Sequence, residues 1–217
     1  MRPEIINIIS KYHNGEFFDY IQNNILPQYG DSDGHGQQHI NDVINRAFDL
    51  DQNLGLDLDF MMIAAGVFYH DLGRMIDDET HEIISAQTFM DDEKMQKFFD
   101  GEQRDIIAGA IEDHRASMKG EPKNIYGKLI SSADRNTDPM QALARSYEYG
   151  TTRSPDASLE ERIKNSFDHL NDKFGRDGYA DTVYFDDGAY QKYLDDLRRL
   201  LDNYDLFRTE YLRINRL

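Results

Sequence analysis

The dipeptide His70-Asp71 places two strong metal ligands side by side, directly after the apolar run FMMIAAGVFY of residues 60–69. An apolar run of this length must be buried, so its end brings an imidazole and a carboxylate to the edge of a protein core. Asp134 stands in a comparable position, directly after an apolar stripe that ends at Ala133. His39, His81 and His114 lie within segments of helical spacing.

Burial of an ionised carboxylate without a partner costs several kcal/mol, so Asp71 and Asp134 require compensation. A divalent metal ion would provide it. Imidazole and carboxylate ligands without a thiolate suit Mn, Fe, Zn, Ni or Co, and suit Mg less because Mg prefers oxygen ligands alone. The sequence therefore predicts a divalent transition-metal cofactor.

Hydrophobic periodicity predicts helices throughout the chain, whereas alternation with a period of two is almost absent. The class is therefore expected to be all-α. The helix at 59–72 is apolar on every side, which marks it as the central element, and Gly73 is expected to end it. Helical faces are also predicted around residues 5–12 and 40–47. Further predicted helices lie at 79–90, at 103–117, from Tyr126 through Leu143 to Tyr149, at 158–174 and at about 187–215.

The composition of the chain makes some binding partners and some cellular locations less favourable than others. The formal charge of -17, from 41 acidic and 24 basic residues, would repel nucleic acid polymers and anionic membranes. The chain has no cysteine, which fits a reducing compartment. No signal-peptide core and no apolar stretch of ~20 residues is present, so we expect a cytoplasmic protein. A single domain over residues 1–217 is expected, with the motifs in about 30–150 and a helical extension in about 151–217.

In their order along the chain, these motifs resemble the HD-domain superfamily of metal-dependent phosphohydrolases. HINDVINRA begins with His39, AAGVFYHDLGR contains His70-Asp71, and LISSADR contains Asp134. The resemblance covers about residues 30–150 and implies a helical bundle with a metal site in its core. HDLGR after a buried helix is its most specific part.

The resemblance also implies roles for individual residues. A metal would be held by His39, His70, Asp71 and Asp134. Members of the superfamily with two metals add two histidines, which His81 and His114 match, and Asp71 would then bridge the two ions. Two metals roughly 3.5–4 Å apart can hold an activated hydroxide, which would be the nucleophile near Asp71.

Basic residues follow three of the proposed ligands. Arg74, Arg115 and Arg135 could reach the rim of the cavity, where an arginine fork pairs two phosphate oxygens. Surface ion pairs are the alternative for each. His35, one helical turn before His39, is a candidate phosphate donor or proton shuttle, although a plain turn residue would also fit its glycine-flanked position.

The stretch SSADRNTDPMQALARSYEYG is similar to a bacterial and yeast branch of small HD proteins, some of which hydrolyse nucleoside triphosphates. Residues 136–139 depart from that branch and leave the substrate open. The leading hypothesis is an enzyme that hydrolyses a phosphoester or phosphoanhydride of a nucleotide or another small phosphorylated metabolite. A di-iron oxygenase with the same ligands and a regulatory ligand-binding module are the alternatives. The sequence also leaves open the native metal, the number of ions, the oligomeric state and the role of residues 150–190.

Overall fold

The secondary structure is helical throughout the described part of the chain. The computed structural model describes residues 1–30, 36–135, 137–181 and 183–216, apart from the side chain of residue 153, and these ranges contain no β-strand. The predicted all-α class is therefore confirmed. Within the same ranges, no helix combines the length and the apolar character needed to cross a membrane.

Contacts between the helices group the chain into two compact units, Met1–Asp134 and Arg135–Leu217. The α-helices of unit 1 are α1 (Pro3–Ile9), α2 (Glu16–Tyr20), α3 (Gln37–Leu54), α4 (Phe60–Tyr69), α5 (His81–Asp91), α6 (Met95–Phe98), α7 (Gly101–Glu112) and α8 (Ile125–Ala133). Those of unit 2 are α9 (Pro139–Arg153), α10 (Leu159–Phe174), α11 (Ala189–Leu201) and α12 (Tyr204–Ile214).

Helix α4 is the central element of unit 1. Every residue after Phe60 in this helix is buried, and α4 packs against α3, α7 and α8. A side chain at Gly66 would place its Cβ 2.4 Å from Ile130 Cδ1, so the glycine allows α4 and α8 to approach closely. The apolar run therefore forms a helix that is covered on several sides, as its sequence predicts.

The predicted end of this helix was wrong by three residues. Helix α4 ends at Tyr69, and Leu72–Met75 form a separate 3₁₀ turn. Gly73 lies inside that turn, where an added Cβ would sit 2.4 Å from the carbonyl oxygen of His81. Glycine is therefore required at position 73 because it is small, and not because it ends a helix.

Helix α7 also ends earlier than residue 117. Its last residue is Glu112, and Asp113 leaves the helical conformation with φ -93° and ψ 7°. The carboxylate of Asp113 accepts a hydrogen bond from the backbone N–H of Lys123 at 2.6 Å, which ties the following loop to the end of the helix. His114 consequently lies just beyond α7 rather than within it.

Two long predicted helices are each divided into two by a helix cap. Asp138 accepts the backbone N–H of Met140 and Pro139 follows it, which begins α9 separately from α8. Asn203 accepts the backbone N–H of Leu206 and begins α12 separately from α11. In unit 2 the four helices pack mutually around buried apolar side chains that include Leu143, Ile163, Leu170, Leu197 and Phe207.

Candidate metal centre

Six predicted ligands lie together in unit 1, although the sequence spreads them over nearly a hundred positions. They come from helices α3, α4, α5, α7 and α8 or from the residue or two that follow a helix. All except Asp134 are buried, and the side chain of Asp134 keeps 19% of its exposure. Three overlapping groups of these side chains bring their ligand atoms within 4.8 Å of one another, so the cluster could hold a metal ion. The six are His39, His70, Asp71, His81, His114 and Asp134.

The carboxylate of Asp71 lies between two pairs of histidines. Its Oδ2 atom is 3.7 Å from His39 Nε2 and 3.6 Å from His70 Nε2. Its Oδ1 atom is 3.3 Å from His81 Nε2 and 3.4 Å from His114 Nε2. Each carboxylate oxygen therefore faces a different pair of imidazole nitrogens.

Asp134 adds a second carboxylate, and its shortest contacts are to the His39–His70 pair. Its Oδ1 atom lies 3.1 Å from His39 Nε2 and 3.7 Å from His70 Nε2. On the other side, His81 Nε2 and His114 Nε2 lie 3.3 Å apart. His39, His70 and Asp134 thus lie on one side of Asp71, and His81 and His114 lie on the other. The two sides also adjoin each other, because the ligand atoms of His70, His114 and Asp134 lie within 4.8 Å of one another.

Backbone carbonyl groups orient three of the four imidazole rings. The Nδ1 atoms of His70, His81 and His114 lie 2.8, 2.9 and 2.7 Å from the carbonyl oxygens of Val67, Asp78 and Ile111, three residues earlier in each case. A carbonyl oxygen only accepts, so each Nδ1 donates and each neutral ring keeps its lone pair on Nε2. This is the arrangement that metal-binding histidines commonly adopt.

Three helices end at the cluster. His70 follows α4, His114 follows α7 by two residues and Asp134 follows α8. These three helices pack against one another. The C-terminal end of a helix carries a partial negative charge, so their convergence favours a cation in addition to the two carboxylates.

Burial and charge have opposing effects on the acid–base behaviour of the cluster. Burial alone would lower the pKa of His70, but Asp71 and Asp134 raise that pKa to about 9. Burial lowers the pKa values of His39 and His114 below the usual value for histidine, against the effect of the nearby carboxylates. Burial would raise the pKa of Asp134, but His39 and His70 hold it well below its usual value. Asp134 is therefore ionised.

The donor set fits a transition-metal ion. His70 Nε2 is fully buried and has no hydrogen-bond partner among the described residues, although it faces both carboxylates. A buried nitrogen of this kind normally has a partner. Imidazole nitrogens and carboxylate oxygens suit Mn, Fe, Co, Ni or Zn, so a metal would complete the coordination of His70 without a thiolate.

Arg74 and Arg115 each form an ion pair at or beside the cluster. Arg74 Nε lies 2.8 Å from Asp71 Oδ1, and its Nη1 atom contacts Asp78. Arg115 Nη1 lies 3.0 Å from a carboxylate oxygen of Glu82, the residue after His81. Their predicted contact with substrate stays a prediction, but in this structure both guanidinium groups already have carboxylate partners.

His35 and Arg135 are two further candidates from the sequence. His35 falls outside the described residues. Arg135 is the first residue of unit 2. Burial raises the pKa of Tyr190 to about 12, and the positive charge of Arg135 acts on that pKa in the opposite direction. The roles predicted for these two residues stay predictions.

The motifs alone do not indicate two residues that support the cluster. Ser85 is buried, and its Oγ atom accepts the backbone N–H of Gly73 at 2.8 Å, which joins the turn after Asp71 to α5. Tyr29 is buried and donates its hydroxyl hydrogen to the carbonyl oxygen of Phe68 at 2.8 Å, near the end of α4. The spacing of four between His81 and Ser85 could have indicated that Ser85 shares the inner face of α5.

Comparisons with known proteins give no identification: no family model matches the chain, and neither the curated proteins nor the solved structures contain a match.

Proposed function

We propose that this chain is a metal-dependent phosphohydrolase of the HD type, which hydrolyses a phosphoester or phosphoanhydride of a nucleotide or another small phosphorylated metabolite. The observation that carries the proposal is the position of Asp71, whose two oxygens each face a separate pair of histidines. The reaction class comes from the resemblance of HDLGR and the flanking motifs to that superfamily.

In this proposal, His39, His70 and Asp134 would hold one ion and His81 and His114 would hold a second, with Asp71 available to both. When bound, a divalent ion supplies a Lewis acid for a phosphoryl oxygen and acidifies water near neutral pH. The protein contributes rigidity, because carbonyl groups fix three of the imidazole rings and Arg74 pairs with the shared carboxylate.

Access from solvent is consistent with the same proposal. Asp71 keeps only 1% of its side-chain exposure, whereas Asp134 keeps 19%. The side chain of Asp134 therefore keeps contact with solvent, whereas that of Asp71 is enclosed. A site that is enclosed in this way strengthens the electrostatic stabilisation of charge on a phosphoryl group.

The experiment is a panel of nucleotides and phosphate esters, assayed with Mn, Co, Ni, Zn, Fe and Mg for release of phosphate or pyrophosphate. Asp71→Asn should abolish turnover and reduce the metal content. Asp91→Asn, which changes an exposed carboxylate on α5, is the matched control and should retain both.

Parallel assays with and without oxygen separate the alternatives. Turnover that requires oxygen and two irons per chain would replace the proposal with a di-iron oxygenase. Tight binding of a ligand without turnover under any metal would replace it with a regulatory module. Release of phosphate or pyrophosphate that Asp71→Asn abolishes supports the hydrolase.

A further inference from the structure

A buried phenol in unit 2 has an unsatisfied hydroxyl group. Tyr193 on α11 is only 1% exposed, and its Oη atom has no hydrogen-bond partner among the described residues. The ring itself is firmly packed: it stacks on Tyr190 at 5.6 Å and meets Phe174 edge-on at 5.4 Å. Since buried hydroxyl groups normally have partners, this one calls for an acceptor that the protein does not supply.

Arg145 on α9 also has a buried donor without a partner, as several other arginine Nε atoms do. Its Nε atom is buried without a hydrogen-bond partner, and its guanidinium forms no ion pair within the described part of the chain. This is unexpected in a chain with 41 acidic and 24 basic residues. Elsewhere in unit 2, Arg176, Arg208 and Arg213 all pair with carboxylates.

The two groups belong to one neighbourhood, because α9 and α11 pack against each other. Burial raises the pKa of Tyr193 well above its usual value, and the positive charge of Arg145 acts on the same hydroxyl in the opposite direction. The neighbouring Tyr190 hydroxyl is already used, since it donates to the carbonyl oxygen of Ala180. The nearby carboxylate of Asp138 accepts the backbone N–H of Met140 at 2.9 Å at the start of α9.

We propose that Arg145 and Tyr193 form a binding site in unit 2 for an oxyanion, namely a phosphate or carboxylate group of a small molecule. A guanidinium group offers several donors and a full positive charge, and the phenol adds one more donor. An oxyanion satisfies both through charge-assisted hydrogen bonds, whereas water would satisfy the phenol and leave the positive charge unbalanced. The proposal does not depend on the metal cluster of unit 1 or on the proposed hydrolase activity.

Isothermal titration calorimetry on the full chain tests this site. The protein is stripped of metal with a chelator, which is then removed, and is titrated separately with inorganic phosphate, pyrophosphate and succinate. The wild-type protein should bind at least one of these anions. Arg145→Gln should weaken that binding by roughly tenfold to a hundredfold, and Tyr193→Phe by about tenfold, as expected for the loss of charge-assisted hydrogen bonds.

Two matched variants test whether the effects are local. Arg199→Gln removes an exposed arginine from the same helix as Tyr193, and Tyr204→Phe removes a phenol hydroxyl from an exposed position on α12. Both should bind the anion as the wild type does. Because the Tyr193 hydroxyl has no partner, Tyr193→Phe should fold normally, and Arg145→Lys provides a charged replacement if Arg145→Gln does not fold.

The selectivity of binding identifies the ligand class. Binding of phosphate or pyrophosphate in preference to succinate assigns a phosphoryl group, and the reverse assigns a carboxylate. The absence of binding to all three probes, or unchanged binding by a folded Tyr193→Phe variant, would overturn the proposed site. Since metal-free protein is used, a failure of the hydrolase proposal would leave this result unaffected.

Discussion

Arg74 forms an ion pair with Asp71, three residues earlier in the chain, with Arg74 Nε 2.8 Å from Asp71 Oδ1. The side chain of Asp71 is almost completely buried, and that of Arg74 keeps 23% of its exposure. Burial alone would lower the pKa of Arg74, but the charge of Asp71 raises it above its usual value. The arginine therefore stabilises the ionised form of the carboxylate that the proposed metal ions would share.

We expect Arg74→Gln to destabilise the metal-free protein, because the buried charge of Asp71 would lose its closest cationic partner. Removing one partner of a buried pair costs about 3–5 kcal/mol, and the partial exposure of Arg74 reduces the expected loss to about 1–3 kcal/mol. Urea unfolding with a chelator and with Mn or Co present measures the effect. Added metal should recover much of the stability, since it supplies positive charge at Asp71.

Arg199→Gln, which removes an exposed arginine paired with Asp196, is the control and should change stability by less than about 0.5 kcal/mol. If Arg74→Gln and the wild type have the same free energy of unfolding in chelator, the contact between Arg74 and Asp71 does not contribute to stability.

Gly73 fixes the distance between the turn after Asp71 and helix α5. An alanine there would place Cβ 2.4 Å from the carbonyl oxygen of His81 and 2.9 Å from Ile84 Cβ. Because the nearest atom is backbone, α5 must shift, and His81 must shift with it. We expect Gly73→Ala to lower thermal stability by an amount equivalent to about 1–3 kcal/mol and to weaken metal binding.

Gly101→Ala is the matched control, since an added Cβ at this first residue of α7 meets no atom within 4 Å. It should leave both stability and metal affinity close to those of the wild type. Metal affinity of Gly73→Ala equal to that of the control would show that the position of His81 does not depend on this close approach.

The sequence predicted the cluster better than it predicted the helix boundaries. The six members of the cluster could be selected because each continues or follows an apolar helical stripe, and burial of these stripes brings their ends together. Their role as metal ligands stays a prediction. The position of Asp71 between two pairs of histidines could not come from periodicity, because it depends on how five helices pack. That part of the expectation came from the resemblance alone.

The boundary errors have local physical causes. Hydrophobic spacing continues across Asp134 to Leu143 and across Asp202 to Leu206, so periodicity predicts unbroken helices there. The side chains of Asp138 and Asn203 cap new helices instead. Reading those caps together with Pro139 would have located both breaks. The ion pairs of Arg74 and Arg115 could not be predicted in this way, because the sequence does not specify how these side chains are oriented.

If the proposed metal site is correct, the position of Asp71 between two pairs of histidines predicts two ions per chain. If two ions bind, His81→Ala should remove the one held by His81 and His114 and leave the ion at His39, His70 and Asp134. Removal of His81 would weaken metal binding at the centre that contains His114. The centre that contains His39, His70 and Asp134 would keep all of its ligands, including Asp71. Elemental analysis of protein saturated with Mn or Co and then desalted should therefore give two ions for the wild type and one for His81→Ala.

Asp71→Ala should lose metal from both centres, because it removes the ligand that they share. Gln87→Ala, an exposed substitution on the same helix as His81, is the control and should retain two ions. One ion per chain in both wild type and His81→Ala would establish a mononuclear centre and assign His81 to another role. Two ions in His81→Ala would contradict its role as a ligand. Loss of all metal in His81→Ala would mean that the two halves of the cluster bind metal only together.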